Sequence, residues 1–176
     1  TDVEVDFDGN VEYGQALTVK TLDTQVRQQG RTVVALVLDK ALILSVAEQK
    51  GTRAGQQEPT QMTLTVDRFP VQTVAALMPP GAGLTPSAGV LNATITAVVE
   101  QLGERIKIDG DLSCENLTVE AKEYSVADIA VKETLQCQLR DLRKLVVNRQ
   151  TFELRHRNQL ALRTLTRADV DLAART

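Results

Sequence analysis

The feature that most constrains this chain is a two-residue alternation of apolar and polar side chains along most of its length. In residues 91–99 the odd positions are apolar and most even positions are polar, whereas in residues 106–114 the apolar side chains occupy the even positions. Successive side chains of a β-strand point to opposite faces of a sheet, so this period is typical of strands with one buried face. Thr and Val, which suit a pleated surface, fill many of these positions. The alternation predicts a mainly β chain.

One short segment follows a helical period instead. Val71, Val74, Ala75 and Met78 fall at i, i+3, i+4 and i+7, which predicts a two-turn amphipathic helix over residues 71–78 that begins after Pro70. A parallel α/β sheet would need many such helices. The predicted fold is therefore a curled antiparallel sheet, an elongated β-groove built from repeats, with one short amphipathic helix at an edge or mouth. An ordinary β-sandwich, in which two sheets fill each other, is the alternative.

Three short sequence matches in the same order indicate an internal repeat. The matched segments are residues 5–11 with 106–112, residues 17–19 with 117–119, and residues 37–44 with 139–147. Recurring units of about 40 residues are typical of stacked β arrays in which neighbours complete each other's core. The chain is interpreted as a single β-repeat domain over residues 1–176, excised from a larger protein, with approximate units 1–50, 60–103 and 104–176. The repeat also predicts that Gly9 and Gly110 occupy comparable bends or strand junctions.

A pattern of spaced glycine and apolar residues follows the predicted helix and resembles that of a known family. After a proline-glycine turn the sequence reads AGVLNATITAVVEQLGERIKIDGDLSCENLTVE. The residues that form this pattern are Gly89, Gly103, Gly110, Leu112, Asn116, Leu117 and Val119. In these positions the stretch from residue 70 to residue 145 resembles the AsmA-like and TamB-like proteins, bacterial relatives of the repeating β-groove lipid-transfer proteins. The chain departs from the family in lacking the N-terminal transmembrane anchor and the great length of full members, as a fragment would.

The resemblance implies a function as well as a fold. It implies a tall, curled antiparallel sheet with a hydrophobic concave face that carries lipid between the inner and outer membranes of a diderm bacterium. It further implies a periplasmic location, in a full-length protein anchored in the inner membrane. The implied partners are a phospholipid or other acyl lipid, and envelope membrane proteins at the ends of the full-length chain.

The residues themselves are compatible with a lipid groove. Large aromatic side chains, the usual fillers of a sandwich core, are few, with three Phe, two Tyr and no Trp. A concave face of smaller apolar residues would leave room for acyl chains, and about ten strands spaced ~4.8 Å apart would span about 48 Å. The predicted groove-lining residues are Leu91, Ile95, Val99, Ile106, Ile108, Leu112 and Leu135. Their chemistry would be the solvation of acyl chains by apolar surface. The alternative is a non-catalytic structural or scaffolding β-repeat module in envelope assembly.

Catalytic, cofactor and nucleic-acid functions find little support in the sequence. The single histidine, His156, stands between two arginines at a predicted strand end, where a structural or surface role is usual. No Gly-x-Ser-x-Gly, His-Glu-x-x-His or phosphate-binding glycine loop occurs in the sequence. We therefore expect a protein that is not an enzyme and has no cofactor. A hydrolase is the third hypothesis, after the lipid groove and the scaffold. A net charge of −3, without a basic block, argues against nucleic acid as a partner.

Two further groups of residues are of types that bind metal ions or form disulfides. Residues 6–12 superficially resemble a calcium loop, but the spacing of their acidic residues misses the required pattern. Asp109-Gly110-Asp111 has a similar arrangement of acidic residues around a glycine. Both are interpreted as Asp and Asn supporting a glycine turn or bulge, so no metal site is expected. Cys114 and Cys137 share the apolar parity of their strands and are interpreted as small buried hydrophobes. The alternative is a disulfide between them, which could form in an oxidising periplasm if their two strands are neighbours.

Overall fold

The computed structural model describes residues 3–14, 16–45, 58–75, 83, 85–100 and 104–172. These residues form ten strands and one short helix. In chain order they are β1 (Val3–Tyr13), β2 (Ala16–Gln28), β3 (Arg31–Leu38), β4 (Leu42–Ser45), β5 (Thr60–Pro70), α1 (Val71–Ala75), β6 (Thr85–Glu100), β7 (Arg105–Glu120), β8 (Ser125–Arg140), β9 (Lys144–His156) and β10 (Gln159–Asp171). The mainly β prediction is confirmed.

All ten strands belong to one antiparallel sheet that does not close on itself. The order is β1-β2-β3-β5-β6-β7-β8-β9-β10, and β4 also pairs with β2. Strands β3 and β4 lie in line beside β2, because β3 pairs with residues 23–28 and β4 with residues 16–19. The sheet therefore has nine strand positions, and its outermost strands are about 38 Å apart rather than about 48 Å. Within the described residues the strands form a single layer, not the two packed sheets of a sandwich.

Short hairpins explain this up-and-down order. Gln29 and Gly30 both have positive φ between β2 and β3, and so do Arg157 and Asn158 between β9 and β10. Positive φ at both central residues defines the type I′ turn, whose twist matches that of the flanking strands. Strands joined by such two-residue turns pair with each other, so most sheet neighbours are also neighbours in sequence.

The predicted helix is present and short. It covers Val71–Ala75, while the rest of the predicted segment, to Met78, lies outside the described residues. Helix α1 follows β5 directly and packs against β6, where Val71 is buried. A Cβ at Gly89 of β6 would lie 3.1 Å from Cγ2 of Val71 and 3.1 Å from Cα of Leu117. Since Gly89 also has a φ of +137°, glycine is the residue that this close approach requires. This helix is too short to cross a bilayer.

The internal sequence echo does not mark equivalent structural units. Residues 5–11 and 17–19 lie on the two strands of a hairpin, whereas residues 106–112 and 117–119 lie on the single strand β7. The third match differs too, since residues 37–44 cross the break between in-line β3 and β4, and residues 139–147 contain the β8–β9 hairpin turn. The matches therefore reflect shared strand alternation.

The two glycines that motivated the repeat lie within strands and not at bends, so that part of the prediction was wrong. Gly9 is opposite Leu22 in β1, and Gly110 is opposite Ile95 and Leu135 in the middle of β7. Asp109-Gly110-Asp111 is likewise extended strand, and not the glycine turn that its sequence suggests.

Little of the described structure is fully buried. The buried apolar residues are Val33, Val71, Ala93, Cys114 and Cys137, and no large side chain among the described residues is completely enclosed. A single layer explains this, because each sheet face is covered only by its own side chains.

Candidate functional site

Strand register places all seven predicted groove residues on one face of the sheet, here called the apolar face. Residues directly opposite each other in an antiparallel ladder share a face. The relevant pairs are Leu91 with Cys114, Ala93 with Leu112, Ala97 with Ile108, Val99 with Ile106, and both Ile95 and Leu135 with Gly110. The sequence therefore identified a set of side chains that the fold brings together.

Cross-strand rows extend the apolar face over the whole sheet. One row runs from β1 to β10 through Val5, Val26, Val34, Val66, Ala93, Leu112, Glu133, Phe152 and Thr164. The next row runs through Phe7, Thr24, Leu36, Leu64, Ile95, Gly110, Leu135, Gln150 and Thr166. These two are called the central rows. They are almost entirely apolar from β1 to β7.

The apolar face is only half covered. Ile95, in the middle of the sheet, is 36% exposed, and the other six predicted groove residues are half-buried. At the β1 edge Phe7 is 69% exposed. No second layer of described residues packs on this face, so apolar side chains in the centre of the sheet remain accessible to solvent.

The opposite face is polar and carries ion pairs. Glu100 accepts a hydrogen bond from Nζ of Lys107 at 2.6 Å, and Glu153 lies 3.3 Å from Nε of Arg163. The hydrogen bond from Lys107 is the main reason that the pKa of Glu100 is lowered. Asp6 of β1 pairs with Arg27 at 3.1 Å on the same polar face. The sheet thus separates an apolar surface from a charged one.

A polar interruption, which the alternation alone does not predict, breaks the central rows at β8 to β10. Glu133 and Gln150 lie on the apolar face, where Nε2 of Gln150 donates a hydrogen bond of 2.6 Å to Oε1 of Glu133. Thr164 and Thr166 continue the two rows on β10. Glu133 shares the odd positions of β8 with Val131 and Leu135. This shared parity is the sequence feature from which the position of Glu133 on the apolar face could have been predicted.

The two cysteines lie on the apolar face but cannot form a disulfide with each other. Cys114 is opposite Val131, and Cys137 is opposite Ile108, so six residues along the strands separate the two thiols. Six residues of strand span about 20 Å, whereas a disulfide needs Cα atoms within about 7 Å. Both thiols are free and buried, and burial raises the pKa of each. They pack as small hydrophobes.

Within the described residues, His156 and the acidic segments at residues 6–12 and 109–111 do not come together in one site. His156 is exposed at the end of β9, opposite Ile129 and Gln159. An open cavity of about 290 Å³ lies elsewhere, lined by side chains that include Asp109, Asp111 and Arg149. Residues 6–12 run along extended β1, where alternate side chains point to opposite faces and do not converge as in a calcium loop. In the described part of the chain, no three His, Cys, Asp or Glu residues are grouped to hold a metal ion.

Comparisons of the chain with protein-family models, with curated proteins and with solved structures gave no match. The resemblance to AsmA-like and TamB-like proteins therefore stays a prediction.

Proposed function

We propose that this chain is a segment of a non-enzymatic lipid-transport protein of the bacterial envelope, whose apolar β-groove holds or conducts phospholipid acyl chains between inner and outer membranes. The observation that carries the proposal is the apolar face, whose central rows are almost entirely apolar from β1 to β7 and are partly exposed in the middle of the sheet, at Ile95. Soluble proteins rarely expose a contiguous apolar patch larger than a few hundred Å² unless something binds there. An apolar ligand is the partner that such a surface favours.

The size of the apolar face suits an acyl chain. Its central rows run along the hydrogen-bonding direction and stay almost entirely apolar from β1 to β7, five strand spacings or about 24 Å. Half the hydrocarbon core of a bilayer, the depth that one leaflet's acyl chains fill, is about 15 Å. An acyl chain lying along the rows would therefore contact several strands. Each buried methylene contributes about 0.8 kcal/mol, so modest coverage of one chain gives substantial affinity.

The outer strands favour a second candidate, a scaffolding module. Strands β1 and β10 are each paired on one side only within the described sheet, and both expose apolar side chains, among them Phe7 and Leu165. An exposed edge with apolar side chains is a template for pairing with further strands. A scaffold would use these edges and would have no need of an accessible apolar centre.

Photo-crosslinking from the centre of the sheet separates the two candidates. A benzophenone amino acid replaces Ile95 on the apolar face or, as the matched control, its neighbour Thr94 on the polar face. Each protein is irradiated with vesicles of phosphatidylethanolamine and phosphatidylglycerol, and adducts are identified by mass spectrometry. Lipid adducts from position 95, well above those from position 94, support lipid binding. Equal yields at the two positions, or none at position 95, would favour the scaffold.

A further inference from the structure

Glu133 is the one acidic residue in the described sheet that direct strand pairing places on the apolar face. It lies on β8 opposite Leu112 and Phe152, and its side chain is half-buried. Two carboxylates of the polar face are paired differently, since Glu100 has a lysine partner and Glu153 an arginine partner. The partner that the structure gives Glu133 is the neutral amide of Gln150.

An amide satisfies one carboxylate oxygen but does not neutralise the charge. Moving a charged group into apolar surroundings is costly unless it is paired with an opposite charge. Gln150 also fixes the position of the carboxylate, because its hydrogen bond crosses from β9 to β8 at 2.6 Å. A ligand that brings a cationic donor to this point would complete the pairing.

The surroundings of Glu133 favour an amphiphilic ligand. Glu133, Gln150, Thr164 and Thr166 form a polar patch, defined here by these four residues, where the central rows reach β8 to β10. The neighbouring rows remain apolar on both sides of it, for example at Val131 and Val147. Towards β1 the central rows continue as apolar surface for about 29 Å, six strand spacings, which exceeds the length of one acyl chain.

We propose that the polar patch binds the amine-bearing head of a phospholipid, with the ammonium group at Glu133 and the acyl chains along the apolar rows towards β7 and β6. This inference rests on the proposed lipid function and adds headgroup selectivity to it. The charge of Glu133 attracts an ammonium group and repels a head with only negative charge, so it acts for one lipid class and against another.

The test compares two photoreactive lipids that differ only in their heads. Phosphatidylethanolamine and phosphatidylglycerol carry the same diazirine acyl chains and are presented to the 176-residue chain in vesicles of matched composition. Glu133→Gln removes the charge at nearly constant shape, and Glu133→Leu continues the apolar row, where a leucine is easily accommodated. Asp111→Asn removes a similar charge from the polar face of β7 and serves as the matched control. Circular dichroism melts establish that each variant is folded.

The wild-type chain is expected to give roughly threefold to tenfold more adduct with the amine lipid than with the glycerol lipid. Both Glu133 variants should lose this preference while still forming adducts, and Asp111→Asn should keep it. An unchanged preference in the two Glu133 variants, or no preference in the wild-type chain, would overturn the headgroup inference and leave the lipid proposal standing. Absence of adducts with either lipid in the wild-type chain would overturn both.

Discussion

Cys114 and Cys137 lie on the same face of two adjacent strands, yet six register positions separate them. Each is opposite an aliphatic residue, Val131 for Cys114 and Ile108 for Cys137, and each is 7% exposed. Burial is the larger cause of the raised pKa of both thiols, and the nearby carboxylates of Glu115 and Asp109 add to it. Adjacent strands alone are therefore not sufficient for a disulfide, and register decides it.

We expect both cysteines to stay reduced and to react slowly in the folded protein. Because the thiolate is the reactive form, N-ethylmaleimide labelling at pH 8 should be at least about tenfold slower than in urea. The thiols also contribute stability that is fully present below the ordinary value of 9.0 and is lost as pH rises through the raised folded pKa. Mass spectrometry after mild oxidation provides the second measurement. An intramolecular disulfide would contradict the strand register.

Gly89→Ala should destabilise the chain by about 1–3 kcal/mol. The added methyl group would lie 3.1 Å from Cα of Leu117 and 3.1 Å from Cγ2 of Val71, at a φ of +137°. Relief would require movement of the β7 backbone or of the buried Val71 side chain. Urea midpoints measure the change. Gly110→Ala is the matched control, because its Cβ would meet Ile95 at 3.6 Å, an ordinary contact, and its change should stay within about 0.5 kcal/mol. Similar losses in both variants would show that helix α1 does not rest on Gly89.

The alternation predicted the strands and the apolar face because both depend on a period that each strand carries by itself. Leu91, Ile95 and Val99 share a face because they are spaced by even numbers of residues along β6. Any register that pairs odd positions of β6 with even positions of β7 adds the apolar residues of β7 to that face. What covers that face could not be predicted, since a sandwich and a single layer require the same alternation.

The turn or bulge predicted at Asp109-Gly110-Asp111 was wrong for a related reason. Asp-Gly is a strong turn signal locally, but the alternating apolar residues on both sides of it fix an extended strand.

The polar patch illustrates what only long-range register can provide. In sequence, Glu133 is a single polar residue within an apolar parity, and Gln150 lies seventeen residues away, on a different strand. Each alone is typical of a tolerated interruption. The pairing of β8 with β9 brings the carboxylate and the amide together, and the bulge after Gln136 sets which residues of β9 face the apolar side. No proline or glycine lies at that bulge, so the sequence offers no local signal that predicts it.

Glu100→Gln should lower stability at neutral pH by up to about 1 kcal/mol, the usual limit for an ion pair near the surface. Glu100 bonds to Lys107 at 2.6 Å and lies 3.6 Å from Arg105, and its pKa is lowered chiefly by the Lys107 hydrogen bond. A lowered pKa contributes stability that is present above the ordinary value of 4.5 and is lost as pH falls through the lowered value. Urea midpoints of the variant and the wild-type chain should therefore converge on acidification. Glu104→Gln, an exposed substitution in the β6–β7 connection, should show no such difference.

Ile95→Asp tests whether the centre of the apolar face is a groove or an ordinary core. Because Ile95 is 36% exposed, an aspartate there can reach water, and we expect a loss of about 1–2 kcal/mol, against the 4 kcal/mol or more (roughly) that an unpaired charge costs in a sealed core. Adduct formation with the photoreactive phospholipids should fall several-fold, since the charge lies where acyl chains would pack. Leu112→Arg, one row away, should behave similarly.

Thr65→Asp gives the matched control for Ile95→Asp. Thr65 is exposed on the polar face of β5, where its partners are Ala35 and Thr94, one residue before Ile95. The same charge on that face should leave lipid adducts unchanged and alter stability by no more than about 0.5 kcal/mol. Thermal melts and adduct yields are measured on the same preparations. Collapse of the fold in Ile95→Asp, together with no lipid adducts in the wild-type chain, would mean that Ile95 is plain core, and the scaffold would then replace the lipid groove.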